Sequence, residues 1–134
     1  MDKKILIIDD DEDFVAVTKA IFESKSYQCI AAYSAQEGLQ KIKEENPDLI
    51  IVDVMMEDMT AGFRLVNTLR AAEEDSEYHS YSRIPLLMVT VFEDVTKMDI
   101  QKKAGTSLLP VDEFMRKPVR SREILAKVEQ MLAK

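Results

Sequence analysis

Residues 48–53 read Asp48-Leu49-Ile50-Ile51-Val52-Asp53, four aliphatic side chains in a row that stop on a carboxylate. A half-buried strand alternates apolar and polar side chains. An unbroken run this short reads instead as a strand buried on both faces, the signature of a parallel sheet. The pattern recurs along the chain. Ile5-Leu6-Ile7-Ile8 runs into Asp9-Asp10, Leu86-Leu87-Met88-Val89 runs into Thr90, and Phe114-Met115 leads within two residues to Lys117-Pro118. In open parallel α/β sheets, ligands bind beyond the carboxyl ends of the strands. Three carboxylates, a hydroxyl and an ammonium are therefore expected to converge on one edge.

Helix-like segments separate these runs. Asp11 to Ser26 carries Phe14, Val17, Ile21 and Phe22 at helical spacing. Gln28 to Tyr33 is a less apolar strand, suited to an edge. Ser34-Ala35-Gln36-Glu37 has the form of a capping box, opening a helix with Ala35, Leu39 and Ile42 on one face. Asn46-Pro47 ends it, because the residue before proline avoids the helical region. A loop over 54–61 precedes a third helix from Gly62 to about Glu74, with Phe63, Val66 and Leu69 inward. The polar stretch Glu73 to Arg83 reads as a surface loop, and Ile84 to Thr90 as the fourth strand. Asp94 can cap a fourth helix running to about Ala104, with Gly105 at its stop. Its apolar stripe is thin, with Val95 and Met98 the clearest members, which suits an element packed loosely enough to move. Val111 to Lys117 contains the fifth strand. Arg120 to Leu132 is a closing helix with Ile124, Leu125, Val128 and Leu132 inward. Five strand–helix repeats joined by right-handed crossovers predict an α/β three-layer sandwich in a single domain over 1–134.

The chain has 134 residues, 46% of them hydrophobic and 32% charged, which fits one soluble domain. No apolar stretch approaches the ~20 residues of a membrane span, and no signal-peptide pattern opens the chain, so a cytoplasmic location is expected. The formal net charge of −7 argues against direct nucleic-acid binding. Cys29 is the single cysteine and His79 the single histidine, so a Cys/His zinc site cannot form. Cys29 reads as a buried inert thiol.

In the flavodoxin-like strand order 2-1-3-4-5, the strands ending at Asp9-Asp10 and Asp53 are neighbours across the switch point. Three carboxylates held close would raise one another's pKa unless a cation intervened. A hard divalent ion answers this, and magnesium fits because it takes one or two carboxylates plus water and a phosphate oxygen. An aspartate beside a metal, a lysine and a hydroxyl suits phosphoryl transfer to a carboxylate. Each feature alone is bland: Asp-Asp after a strand is common as a helix cap, and lysine is usually solvated. Their conjunction at strand ends, in order, carries the weight.

From Lys4 onward the chain resembles the receiver domains of two-component response regulators. The matching segments are Ile5-Leu6-Ile7-Ile8-Asp9-Asp10-Asp11, Asp48-Leu49-Ile50-Ile51-Val52-Asp53-Val54-Met55-Met56, Met88-Val89-Thr90 and Lys117-Pro118-Val119. The resemblance implies that Asp53 accepts a phosphoryl group from a histidine kinase or phosphotransfer protein. It implies Mg2+ bound by Asp10 directly, by Asp9 largely through water, by Asp53 and by the backbone carbonyl of Met55. Thr90 would be the switch hydroxyl, Lys117 the phosphate-binding lysine, and Phe114 the aromatic whose rotation accompanies Thr90. Phosphorylation would then remodel the face made by helix four, strand five and helix five, altering contact with a downstream protein target. A receiver of this kind is a signalling protein, not an enzyme with an external substrate, although family members catalyse their own phosphorylation and dephosphorylation. It is expected to be a monomer or a phosphorylation-dependent dimer. The sequence shows no output domain; the chain is either a stand-alone protein, which its Met1 start and full final helix are read as favouring, or a fragment of a larger regulator or hybrid kinase.

The chain departs from the family after Asp53. Glu57 stands where proline is usual, one extra residue precedes Gly62, and Glu57 or Asp58 would add negative charge near the metal. Val91 and Phe92 follow Thr90, where a small residue is usual. Two readings are open for Met55, Val91 and Phe92: they exclude water and slow hydrolysis of the acyl phosphate, or they simply pack on the loop. The stretches 73–83 and Thr106-Ser107-Leu108-Leu109-Pro110 are insertions, the second beside the expected output face. His79 reads as a solvated loop residue rather than a catalytic base or phosphocarrier. Tyr78 and Tyr81 either cover the adjacent helix or mark a contact site, with cover the preferred reading. Two other classes compete. A haloacid dehalogenase phosphatase would use Asp9-x-Asp11 on strand one. A nucleotide or flavin binder would need a glycine-rich loop that Gly38, Gly62 and Gly105 do not form.

Overall fold

The computed structural model describes residues 3–53, 61–90 and 111–133. Five parallel strands, β1 (Lys4–Ile8), β2 (Gln28–Ala32), β3 (Leu49–Val52), β4 (Leu86–Thr90) and β5 (Glu113–Arg116), lie in the order β2-β1-β3-β4-β5. Helices α1 (Glu12–Glu23), α2 (Ala35–Glu45) and α3 (Ala61–Arg70) follow the first three strands, and a C-terminal helix (Ser121–Leu132) follows the last. The expected fourth helix over 94–104 and the insertion over 106–110 lie outside the described residues.

The unbroken aliphatic runs are explained by two cores. Leu6, Ile8, Ile50, Val52, Leu86 and Met88 face one core with α2 and α3, while Ile5, Ile7, Leu49, Ile51, Leu87 and Val89 face the other with α1 and the C-terminal helix. Successive residues of a strand point to opposite faces, so a strand in the middle layer must be apolar throughout. Each fully buried Ile or Leu contributes about 2 kcal/mol of transfer free energy. In register, Ile8 lies opposite Ala32 on one side and Val52 on the other. The next residues, Asp9 and Asp53, therefore leave adjacent strands at the same level.

Local signals set most helix ends. Asp11 caps α1, its carboxylate accepting from the amides of Asp13 and Phe14. Ser34 caps α2 and accepts from the Glu37 amide, but the Glu37 carboxylate reaches the amide of Tyr33, one residue earlier than a standard capping box requires. Asn46 closes α2 in the left-handed conformation. The inward stripe of α1 keeps Phe14, Ile21 and Phe22 of the expected set but not Val17. Val15, Thr18 and Phe22 are buried, while Val17 is 60% exposed. Phe22 lies edge-on to Tyr27, with ring centroids 5.6 Å apart.

Helix α3 stops at Arg70, about one turn earlier than expected, because the chain turns back at Ala71. The Arg70 guanidinium donates to the carbonyls of Ser82 and Ile84, each at 2.8 Å, and to the Asp112 carboxylate. Asp112 also accepts from the Leu86 amide. One side chain thus ties the 71–85 segment to the start of β4 and to the entry of β5. Tyr78 and Tyr81 pack against the α2–α3 core, and Lys43 pairs with Glu77 and sits over the Tyr78 ring. The tyrosines are cover, as expected. His79 is exposed, its Nδ1 3.2 Å from the Ala72 carbonyl. Arg70→Met keeps the aliphatic stem and removes every donor. It is expected to lower stability by about 2–3 kcal/mol, read as a drop in the urea midpoint at unchanged slope.

Candidate functional site

The carboxyl ends of β1, β3 and β4 and the residue after β5 bring Asp9, Asp53, Thr90 and Lys117 together. Asp9 is 1% exposed, Asp53 6% and Thr90 fully buried. Thr90 Oγ1 donates to Asp53 Oδ1 at 2.8 Å. Lys117 Nζ donates to Asp9 Oδ2 at 2.7 Å and to Asp53 Oδ2 at 3.2 Å. The backbone supports both partners: the Asp11 amide donates to Asp9 Oδ1 at 2.9 Å, and the Lys117 amide to the Thr90 carbonyl at 2.8 Å. The Lys117–Pro118 peptide is cis.

Charge is out of balance here. Burial pushes the Asp9 carboxyl up from 3.8 to about 6, and the neighbouring Asp53 charge adds to this against the opposing pull of Lys117 and the Asp11 amide. Burial works to lower the Lys117 pKa, but its hydrogen bond to Asp9 and the charge of Asp53 outweigh it and hold the ammonium above its ordinary value. Two buried carboxylates share one ammonium, and Asp10 adds a third negative charge at the exposed rim.

This donor set fits Mg2+. Its atoms are hard carboxylate oxygens, and the net charge of the cluster is one that a divalent cation would neutralise. Among the described residues, no group of three or more His, Cys, Asp or Glu side chains is already gathered around a single metal position. The carbonyl of Met55, and Glu57, Asp58, Val91 and Phe92, lie outside the described residues.

The raised Asp9 carboxyl has a consequence for stability. The folded state binds the Asp9 proton more tightly than the unfolded chain does, so ionised Asp9 opposes folding above about pH 6, by about 3 kcal/mol for a rise from 3.8 to about 6. That cost is relieved as pH falls through 6 towards 3.8. In Mg2+-free buffer at pH 7.5, Asp9→Asn is expected to be more stable than the unsubstituted protein by about 1–2 kcal/mol. The advantage should shrink at pH 5. Urea midpoints at the two pH values check this, and a less stable variant at pH 7.5 would show that the Lys117 pairing outweighs burial.

Phe114 is half-buried and packs against the core that contains Leu86 and Met88. Thr90 projects to that same face of β4, two residues beyond Met88. Asp11 spends its side chain on capping α1, and Asp9, buried beside Lys117, is the strand-one carboxylate in the cluster. That division of roles leaves the phosphatase reading, which needs Asp9 and Asp11 acting as a pair, without support.

A family model described as the response regulator receiver domain matches residues 5–129. The chain belongs to the response regulator receiver family. Among curated proteins, this receiver is 33% identical over 132 residues to the alkaline phosphatase synthesis transcriptional regulatory protein PhoP of Bacillus subtilis, covering 98% of this chain and 49% of that one. It is 30% identical over 132 residues to the response regulator GtcR of Aneurinibacillus migulanus, covering 98% and 48%. The receiver thus spans about half the length of the curated relatives it matches. A CheY-like receiver domain protein from Methanospirillum hungatei superposes with a TM-score of 0.77 at 28% identity, covering 99% of this receiver and 95% of that chain. The receiver is a signalling module of two-component systems. Among its described residues, no helix is long and apolar enough to cross a membrane.

One contact at the site was not foreseen. Lys117 Nζ lies over the Phe14 ring, 4.3 Å from its centroid. Phe14 was expected only as part of the α1 core stripe. Its position three residues beyond the cap Asp11 was the available signal, since the first turn of α1 starts beside Asp9.

Proposed function

We propose that Asp53 is the phosphoacceptor of this receiver and takes its phosphoryl group from a phosphohistidine of a histidine kinase or phosphotransfer protein. The observation that carries the reading is the single ammonium of Lys117 shared between Asp9 and Asp53, with Thr90 on the other Asp53 oxygen. A carboxylate oxygen of Asp53 forms the new bond to phosphorus while the bond from phosphorus to the histidine nitrogen breaks, and the imidazole leaves with that electron pair. Lys117, already within reach, offsets charge on the phosphoryl oxygens. Asp9 and Asp10, with Asp53 and the carbonyl of Met55, are the residues that would hold Mg2+. When bound, the cation supplies further charge neutralisation and orients the phosphoryl oxygens.

After transfer, Thr90 exchanges its Asp53 partner for a phosphoryl oxygen and moves inward, and Phe114 follows into the space it leaves. The equilibrium then shifts towards an altered face that includes β5 and the C-terminal helix, which a downstream protein reads. We propose a cytoplasmic receiver, acting as a monomer or as a dimer formed on phosphorylation.

The test is incubation with Mg2+ and acetyl phosphate, followed by intact-mass measurement and peptide mapping. The expected result is an acid-stable, base-labile gain of one phosphoryl group within the peptide containing residues 49–53, and none when chelator removes Mg2+. A label mapping elsewhere, or steady hydrolysis of simple phosphate monoesters, would remove the reading.

A further inference from the structure

We infer that Phe14 is a positioning residue for Lys117, its ring forming the third wall that holds the ammonium between Asp9 and Asp53; the inference rests on the phosphoacceptor reading above. The ammonium has three N–H donors. Two point to Asp9 Oδ2 and Asp53 Oδ2, and the ring of Phe14 lies 4.3 Å from the nitrogen. An ammonium this close to an aromatic face is attracted by the ring quadrupole, and more strongly when water is excluded. Water is scarce here, since the Lys117 side chain is 11% exposed and its two carboxylate partners 2% and 8%.

The backbone plants the ring where it is needed. Asp9 Oδ1 accepts from the Asp11 amide, and Asp11 Oδ1 in turn accepts from the Phe14 amide at 3.1 Å. The loop that orients Asp9 is therefore the one that sets the first turn of α1. Beneath it, Phe14 packs against the core shared by α1 and the C-terminal helix. On the far side, the Lys117 amide is held by the Thr90 carbonyl. Both ends of the contact are fixed to strand ends.

The contact matters because the partners of Lys117 change during the reaction. Before transfer, Asp53 anchors the ammonium. As the Asp53 oxygen bonds to phosphorus, that anchor loses negative charge, and the ammonium must meet the phosphoryl oxygens from nearly the same place. The carboxylate of Asp9 and the face of Phe14 do not change in this step. They keep the long side chain from swinging into solvent, where its entropy would take it.

The test separates ring electrostatics from packing. Position 14 is replaced by 3,5-difluoro- and 3,4,5-trifluorophenylalanine, which nearly keep the shape of the ring while weakening its quadrupole, and by leucine. The initial rate of Mg2+-dependent phosphoryl uptake from acetyl phosphate is then measured. A contact of this kind is worth about two- to fivefold when exposed and about thirtyfold when desolvated, so Phe14→Leu is expected to slow uptake at least about fivefold. The fluorinated proteins should fall in order between it and the unsubstituted protein. Uptake that is equal across the fluorinated series, with or without a loss in Phe14→Leu, would show that the ring only packs and would overturn the inference alone. If the unsubstituted protein takes up no label, the phosphoacceptor reading fails and this inference with it.

Discussion

The Asp53→Asn protein is expected to take up no phosphoryl group from acetyl phosphate or from a phosphorylated histidine kinase, while folding as the unsubstituted chain does. The carboxamide can keep one of the two accepted bonds, its oxygen taking the place of the one that accepts from Lys117 at 3.2 Å, while its N–H group donates to the Thr90 hydroxyl, reversing the bond seen at 2.8 Å. What it loses is nucleophilicity. The amide lone pairs are delocalised, and attack on phosphorus gives no stable acyl phosphate. Folding should not suffer, because the substitution removes one of two buried negative charges that share Lys117. The thermal midpoint is expected to stay level or rise. Intact mass after incubation with donor and Mg2+ reads the first expectation, and a heat scan the second. Label at the original rate in a folded Asp53→Asn protein would mean that the phosphoacceptor is another residue.

The second large effect is expected at Lys117. In Lys117→Met the aliphatic stem still covers Phe14, but the ammonium is gone. Phosphoryl uptake should slow by about 100-fold or more, the usual loss when one preorganised donor to developing charge is removed from a dry site. The ground state changes too. Asp9 and Asp53 then face each other without their shared cation, and the Asp9 carboxyl, already at about 6, is pushed higher. The unneutralised pair attracts the cation more strongly, so the dependence of uptake on Mg2+ concentration should move to lower values. Lys117→Arg keeps the charge, but its planar fork cannot occupy the same point between two carboxylates and an aromatic face, so it should recover only part of the rate. Rates measured across Mg2+ concentrations check this. An unchanged maximal rate in Lys117→Met would show that the ammonium does not act on the phosphoryl group.

The site is more legible in the sequence than the helices around it, and the reason is physical. Where a strand is buried on both faces, its apolar run has sharp ends, and the first polar residue marks the sheet edge to within one position. Asp9, Asp53 and Thr90 stand there, one residue past β1, one past β3 and at the end of β4. Helix phase is softer. In α1, Phe14, Val15, Val17, Thr18, Ile21 and Phe22 allow two overlapping stripes, and an exposed Val17 costs little enough that periodicity does not exclude it. In α3 the expected extension to about Glu74 fails because the 71–85 segment folds back onto Arg70, a contact between residues 12 and 14 positions apart.

The apolar runs alone specify the middle layer of this protein and the residues that stand along its edge. Burial on two faces leaves no choice of side chain within a strand, and a parallel sheet leaves no choice of edge for the polar stops. How those stops meet is set by packing between distant parts of the chain. That packing gave Asp9 to Lys117 and left Asp10 at the rim, turned Asp11 to capping, and set Phe14 under the ammonium. Those choices depend on distances between residues a hundred positions apart in the chain. They come from how α1 and the turn after β5 pack against the same core, which no local pattern encodes.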